Sequence, residues 1–322
     1  MELVAADIGG THARFALAEV RDGRVVSLGD AVTMKTAEHA SLQTAWEAFG
    51  EQLGRTPPRA AALAFAGPVK GELLKLTNNP WIIRPALIRE RLGADRFTLV
   101  NDFGAVGHAM LQIGDEHLAH LCGPPISLPE QGVFSIVGPG TGLGVAQVIR
   151  DGSGVRVIET EGGHVDYAPL DPLEDAILAQ LRKRYRRVSI ERICSGPGLL
   201  NIYEALAAIE HRSGPPLDDK ALWTMALEGT DSLALAALDR FCLSLGAFAG
   251  DAALVHGANG VVIAGGLGHR LRDMLPRSGF RERFNAKGRF ETRMAAIPVK
   301  ILTHPQPGLL GAAAAFAAEH PQ

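Results

Sequence analysis

Val4-Ala5-Ala6-Asp7-Ile8-Gly9-Gly10-Thr11-His12-Ala13-Arg14-Phe15-Ala16-Leu17 reads as strand, glycine turn, strand. The turn Asp22-Gly23-Arg24 leads into a third strand, Val25 to Leu28, so the chain opens with an antiparallel meander and not with a βαβ unit. The same order returns later. Val133 to Val137 is a strand, Gly138-Pro139-Gly140-Thr141-Gly142-Leu143-Gly144 a turn, and Val145 to Arg150 a strand. Asp151-Gly152 then turns into Val155 to Glu159. Two meanders, each with glycine and threonine in its first turn, predict that one pattern restarts in the second half.

Between and after the meanders lie further signals. Ala60 to Ala66 is a buried strand ended by Gly67-Pro68, and Leu73 to Thr77 a short strand followed by Asn78-Asn79-Pro80-Trp81. Phe97-Thr98-Leu99-Val100 rises to the polar pair Asn101-Asp102, with Gly104 close behind, which reads as a buried strand presenting an amide and a carboxylate at its C-terminal edge. α/β proteins gather their ligands at that edge. Apolar spacing predicts helices over Ser41–Gly54 with Ser41 as N-cap, Pro85–Leu92, Ala105–Ile113, Pro172–Arg187, Gly198–Ala208, Asp219–Leu227 and Ser232–His256. Strands at Val261–Ala264 and Val299–Thr303 and an alanine-rich helix, Gly308–His320, complete the chain.

The 322 residues suffice for two domains, and 47% hydrophobic with 21% charged residues is the balance of a soluble globular protein. A formal net charge of −3 argues against nucleic acid or an anionic membrane as partner, since both need a basic surface. Cys122, Cys194 and Cys242 lack paired metal-ligand spacing, so reduced, buried thiols of a cytoplasmic protein are expected. Met1-Glu2 runs straight into an apolar strand, so no secretory leader is expected. Leu233 to Leu254 is apolar but carries Asp239, Arg240 and Asp251, which predicts a core helix and not a membrane span.

Both glycine-threonine turns sit between strands. A Walker-type loop leads into a helix and carries Gly-Lys, and no Gly-Lys dipeptide occurs here. The dinucleotide pattern G-x-G-x-x-G also fails, because Leu143 occupies its last position. Either turn alone reads as a tight hairpin. Together they suit a polyphosphate, because glycine lets backbone N–H groups approach an anion and threonine adds a hydroxyl. Asp7, just before the first turn, reads equally as a turn cap or as a holder of Mg²⁺ through water. In Glu159-Thr160-Glu161-Gly162-Gly163-His164-Val165-Asp166, carboxylate and imidazole can accept from and donate to vicinal hydroxyls, as a sugar ring requires. Metal binding is the rival reading, though no H-E-x-x-H and no nearby cysteine supports it. Glu191 reads as a helix cap or an arginine partner, and Arg182-Lys183-Arg184-Tyr185-Arg186-Arg187 as a solvated helix end. Gly265-Gly266, after a late strand, suits either an ordinary strand-to-helix turn or a nucleoside lying against backbone.

In order and in sum these motifs resemble the bacterial glucokinase family, the non-ROK type of the hexokinase–actin-like superfamily. The resemblance rests on Asp7-Ile8-Gly9-Gly10-Thr11, Leu76-Thr77-Asn78-Asn79-Pro80-Trp81, Val100-Asn101-Asp102-Phe103, the Gly138–Gly144 turn, Glu161-Gly162-Gly163-His164-Val165-Asp166, Ser195-Gly196-Pro197-Gly198 and Pro307-Gly308-Leu309-Leu310-Gly311, and covers essentially the whole chain. It implies a two-domain α/β actin-like ATPase fold of the ribonuclease H-like kind, with a cleft between a small domain, 1–110 completed by the C-terminal helix of 304–322, and a large domain, 111–303.

It further implies an ATP-dependent glucokinase in which Asn101, Asp102, Glu161, His164 and Glu191 bind glucose and Asp102 is the catalytic base. Ala6, Asp7, Ile8, Gly9, Gly10 and Thr11 would hold ATP phosphates together with Gly140, Thr141 and Gly142. Gly265 and Gly266 would face the nucleoside. A cytoplasmic homodimer using Mg²⁺ in glycolytic glucose use is the corresponding expectation. His12 stands where the family often has asparagine, and Ala6 replaces a common glycine; both touch the phosphate turn. The cysteine-rich zinc motif of ROK sugar kinases is absent. A kinase for fructose or mannose is the alternative, and a non-catalytic sugar sensor the reading from another class.

Overall fold

The computed structural model describes residues 1–321 apart from 68, 77, 78, 80, 153 and 213–216. Thr77, Asn78 and Pro80, which the sequence assigns to a short strand and the turn after it, therefore lie outside the described residues. The chain divides into two compact units, Met1–Gly114 with His304–Gln322, and Asp115–Thr303.

In the first unit the opening meander is β1 (Glu2–Ile8), β2 (His12–Arg21) and β3 (Arg24–Leu28), with β4 (Val32–Lys35) pairing the first half of β2. Strand β5 (Ala60–Phe65) runs parallel to β1, and β8 (Arg96–Asn101) runs parallel to β5. The sheet order is β3-β2-β1-β5-β8. A two-residue pair, β6 (Leu74–Lys75) and β7 (Ile82–Ile83), forms a separate hairpin ladder. Alternation on the central strands decides what covers each face. Val4, Ala6, Ile8, Ala61, Leu63 and Phe65 face a core with Trp46 and Phe49 of α1 (Leu42–Leu53). Phe15 stacks on Phe49 there, with ring centroids 5.4 Å apart. Leu3, Ala5, Ala60, Ala62 and Ala64 face the closing helix, Pro307–Glu319, which buries every residue from Leu309 to Ala317. Alanine on both sides lets that helix lie close to the sheet, and alanine is also the best helix former.

Helix α1 begins where expected. Ser41 Oγ accepts from the Thr44 N–H at 3.3 Å and Thr44 Oγ1 accepts from the Ser41 N–H at 3.1 Å, and Gly54 in the left-handed region ends the helix. Helix α2 (Ile88–Leu92) follows a 3₁₀ turn over Pro85–Leu87, so the expected single helix is split. Helix α3 (Asp102–Ala109) follows β8 directly.

The second unit repeats the plan. Strands β10 (Gly132–Pro139), β11 (Leu143–Asp151) and β12 (Gly154–Thr160) form the meander, and β13 (Gly260–Ile263) and β14 (Val299–Leu302) add in parallel. The order β12-β11-β10-β13-β14 matches that of the first sheet, with one extra antiparallel edge strand, β9 (Leu118–Cys122), beyond β14. Helices α4 (Pro172–Leu181), α5 (Gly196–Ile209), α6 (Asp219–Glu228), α7 (Ser232–His256), α8 (Gly265–Arg270), α9 (Phe280–Asn285) and α10 (Glu291–Ala295) complete the unit. Helix α7 is long and apolar enough to cross a membrane, but 78% of its apolar stretch is buried inside the unit, as for a core helix. Asp171 caps α4 and accepts from Arg240 of α7 at 2.8 Å and Arg283 of α9 at 2.6 Å, tying the three helices together. The three cysteines are free and buried.

Two readings change. Helix α4 ends at Leu181, not Arg187; the last turn tightens, and Arg184 and Arg187 leave it to pair with Glu204 and Asp166. The basic run is thus a set of ion pairs past a helix end. Helix α3 starts three residues earlier than its apolar spacing predicts, for a reason given below.

His108 of α3 has its Nδ1 buried without a hydrogen-bond partner, and burial pushes its pKa down to about 4. The unfolded imidazole protonates near 6.5, so the stability carried by neutral His108 is complete above that pH and is lost as pH falls toward 4. The unfolding free energy should drop over this window by up to on the order of 3 kcal/mol more in the wild type than in His108→Gln. Parallel pH profiles in denaturant titrations would exclude this contribution.

Candidate active site

In the first unit the parallel strands end in register, Ile8 opposite Phe65 and Phe65 opposite Asn101. Asp7 and Asp102 therefore lie toward the same end of the sheet, with β5 between their strands. Asp7 faces Arg14 across the hairpin, and the guanidinium donates to its carboxylate at 3.2 Å. Burial raises the Asp7 pKa, and the Arg14 charge and hydrogen bond oppose that rise. The β1–β2 turn is Gly9-Gly10-Thr11. Its carbonyls are engaged from behind: Asn79 Nδ2 donates to Gly9 O at 3.2 Å, Thr36 Oγ1 to Gly10 O at 2.8 Å, and the Thr36 N–H to Thr11 O at 3.0 Å. A turn with its carbonyls so occupied suits an anion on its N–H side. Ala6 and Ile8 are strand residues with side chains in the core, so they act only through the main chain.

Asn101 explains the early start of α3. Its Oδ1 accepts from the N–H groups of Phe103 at 2.9 Å and Gly104 at 3.2 Å, which caps the helix. Its Nδ2 donates to Gly67 O at 3.1 Å and so fixes that cap to the end of β5. Asp102 is then the first helical residue, and its Oδ1 accepts from the Phe103 N–H at 3.0 Å.

In the second unit the β10–β11 turn shrinks to Gly140-Thr141-Gly142, since Gly138, Pro139, Leu143 and Gly144 belong to the strands. The Gly196 N–H donates to Gly140 O at 2.7 Å, bringing the start of α5 to this turn. Glu191 Oε2 accepts from the Leu143 N–H at 2.9 Å, and a β-carbon on Gly142 would stand 2.5 Å from that oxygen. Gly163 packs so close to Leu143 that a β-carbon would overlap the Leu143 carbonyl oxygen. Thus Glu191 and the Glu161–His164 loop both touch the residue that ends the turn. Glu161 and His164 flank a 3₁₀ turn, Gly162–His164, and both are exposed. Gly265, at φ +75°, opens α8 with its α-carbon against the Pro139 carbonyl, so Gly265-Gly266 and the turn are neighbours.

Within the first unit the structure thus groups Asp7, the Gly9–Thr11 turn, Asn101 and Asp102. Within the second it groups Glu161, His164, Glu191, the Gly140–Gly142 turn, Gly265 and Gly266. Arg14, Thr36 and Gly308 were not legible as site residues. Arg14 is found only through cross-strand register, and Thr36 only through its return to the turn. A β-carbon on Gly308 of the closing helix would come within 2.8 Å of the Asp7 carboxylate. Among the described residues no three His, Cys, Asp or Glu side chains cluster to hold a metal.

Two meander-plus-parallel sheets, each bearing a glycine-threonine turn at the edge where its parallel strands end, make a fold of the actin-like ATPase type, shared with solved glucokinases. The glucokinase family model matches residues 4–319. The chain is 67% identical over 317 residues to the glucokinase of Zymomonas mobilis, covering 98% of both chains. A crystal structure of glucokinase from an Antarctic psychrotroph superposes with a TM-score of 0.84 at 33% identity, covering 97% of this chain and 98% of that one. A ROK family glucokinase from Streptomyces griseus, solved with glucose and AMPPNP, shares the fold at a TM-score of 0.65 and 20% identity, over 97% and 98% of the two chains. The chain belongs to the glucokinase family.

The raised Asp7 pKa means that the folded state holds this proton more tightly than the unfolded chain does. The ionised carboxylate therefore costs stability at neutral pH, and that cost fades as pH falls through the raised folded-state value and is gone below the usual aspartate value of about 3.9. Asp7→Asn should keep or raise the thermal midpoint at pH 7, with the advantage shrinking toward pH 4, while turnover with ATP falls. A midpoint lowered by several degrees at pH 7 would show that the Arg14 pair outweighs burial.

Proposed function

We propose that the protein transfers the γ-phosphoryl group of ATP to the 6-hydroxyl of D-glucose, giving glucose 6-phosphate and ADP. The observation that carries this reading is Asp102, fixed by the Asn101 cap as the first residue of α3, on the same sheet edge as the Gly9–Thr11 turn. Asp102 takes the proton of the 6-hydroxyl as that oxygen attacks the γ-phosphorus in line. Glu161, His164 and Glu191 bind other hydroxyls. Asn101 serves mainly to aim Asp102, since its amide oxygen already accepts two helix N–H groups. The Gly9–Thr11 and Gly140–Gly142 turns hold the phosphates, and Gly265-Gly266 lies against the nucleoside. Phosphoryl transfer depends mainly on such positioning and charge stabilisation.

Among the described residues Asp7 belongs to no group of three metal-ligating side chains, and it would hold a Mg²⁺ carried by the nucleotide through water. Bound there, Mg²⁺ would neutralise charge on the phosphates. Three free, buried thiols accord with a cytoplasmic protein serving glycolysis, and a homodimer is the proposed assembly.

Asp102→Asn should retain glucose binding by calorimetry and lose at least about a hundredfold in kcat. Near-normal turnover would remove the base. Glu161→Gln should weaken glucose binding on the order of tenfold, as for a lost hydrogen bond to a charged group. A coupled ADP-release assay over glucose, fructose and mannose decides the acceptor. Turnover on fructose or mannose above that on glucose would make it another hexose kinase, and sugar binding without any ADP release a sensor.

A further inference from the structure

The Pro307-Gly308-Leu309-Leu310-Gly311 stretch carries no polar side chain. It opens the closing helix, and its two glycines meet Asp7 and the first turn of α3. A β-carbon on Gly308 would stand 2.8 Å from both Cγ and Oδ2 of Asp7. One on Gly311 would overlap the carbonyl oxygen of Ala105, in the first turn of the helix that Asp102 begins. Residues three apart share a helix face, so one face of the closing helix touches both places.

We propose that the closing helix is a positioning element for Asp7 and Asp102 together. Gly308 sets where the Asp7 carboxylate can lie, and Gly311 sets how closely α3, with Asp102 at its head, approaches the closing helix. The inference rests on the roles given above to those two acids. The two contacts differ in kind. At Gly308 a methyl group would meet the end of a side chain, which can rotate away. At Gly311 it would meet main chain, which can only move with its helix.

That difference sets the test. Gly308→Ala turns the Asp7 carboxylate aside: KM for ATP should rise about fivefold or more with glucose affinity by calorimetry unchanged. Gly311→Ala displaces α3: kcat should fall about tenfold or more, since misplacing a reacting group by about 1 Å is that costly. Ala315→Gly, on the same face a further turn along, is the control. It should lower the thermal midpoint through helix propensity and leave both kinetic constants in place. If Gly308→Ala and Gly311→Ala merely behave like this control, the helix is structural and the proposal is wrong. Should Gly311→Ala fail to fold, Gly308→Ala alone decides the matter. Wild type and Asp102→Asn are assayed alongside. A wild type that prefers another hexose only changes the sugar used. Full turnover by Asp102→Asn would withdraw the base itself, while the ATP effect of Gly308→Ala would still be read independently.

Discussion

In each unit main chain meets main chain at glycine beside the candidate site residues, and the placement of their polar groups depends on that. Gly163 lies against the Leu143 carbonyl, Gly265 against the Pro139 carbonyl and Gly311 against the Ala105 carbonyl. Added atoms in such contacts typically cost 1–3 kcal/mol through backbone shifts, and protein interiors transmit the shift because they are close-packed. Each contact couples a polar element to something else. Gly163 carries Glu161 and His164 up to the end of the Gly140–Gly142 turn. Gly265 seats the start of α8 beside it. Gly311 holds the helix of Asp102.

The two units share a sheet order and a short glycine-threonine turn, but they brace the turn differently. Thr36 and Asn79 take the carbonyls of Gly9-Gly10-Thr11. In the second unit Gly196, at the head of α5, takes Gly140 O, and Glu191 takes the Leu143 N–H. A repeated backbone plan thus fixes where a phosphate-type turn must occur. What stands behind it comes from unrelated parts of the chain.

This distinction explains what was legible in the sequence. The meanders were visible because alternating burial leaves a period of two, as along β2 and β11, and because glycine marks a turn whatever surrounds it. Helix α7 was visible over its full length because Asp231 caps it, Gly257 ends it and nothing polar interrupts the run for long. Edge strands β4 and β9 were not read as strands, since only one neighbour supports each and neither carries a clean alternation. The start of α3 was misplaced because apolar spacing begins at Ala105, whereas the cap acts through an asparagine that looked like a strand end. Arg14 and Thr36 carry no signal of their own, since each matters through a partner distant in sequence, and Gly308 was legible only as part of a motif, not as a neighbour of Asp7.

Asn101-Asp102 shows how far the chemistry depends on this packing. Had Asp102 merely ended β8, its direction would follow the strand alone. As the first residue of α3 it is held by a cap from below, by Gly67 through that cap, and by the closing helix through Ala105. Glu191 is placed by the same logic. One of its oxygens already accepts the Leu143 N–H, and a carboxylate has about four lone-pair sites, so it can receive a sugar hydroxyl without releasing the turn. In the proposed function, Glu191 would bind sugar while bonded to the residue after the Gly140–Gly142 turn, and so would couple the two substrates. In both acids, position is set by main chain, and the side chain is left to do the chemistry.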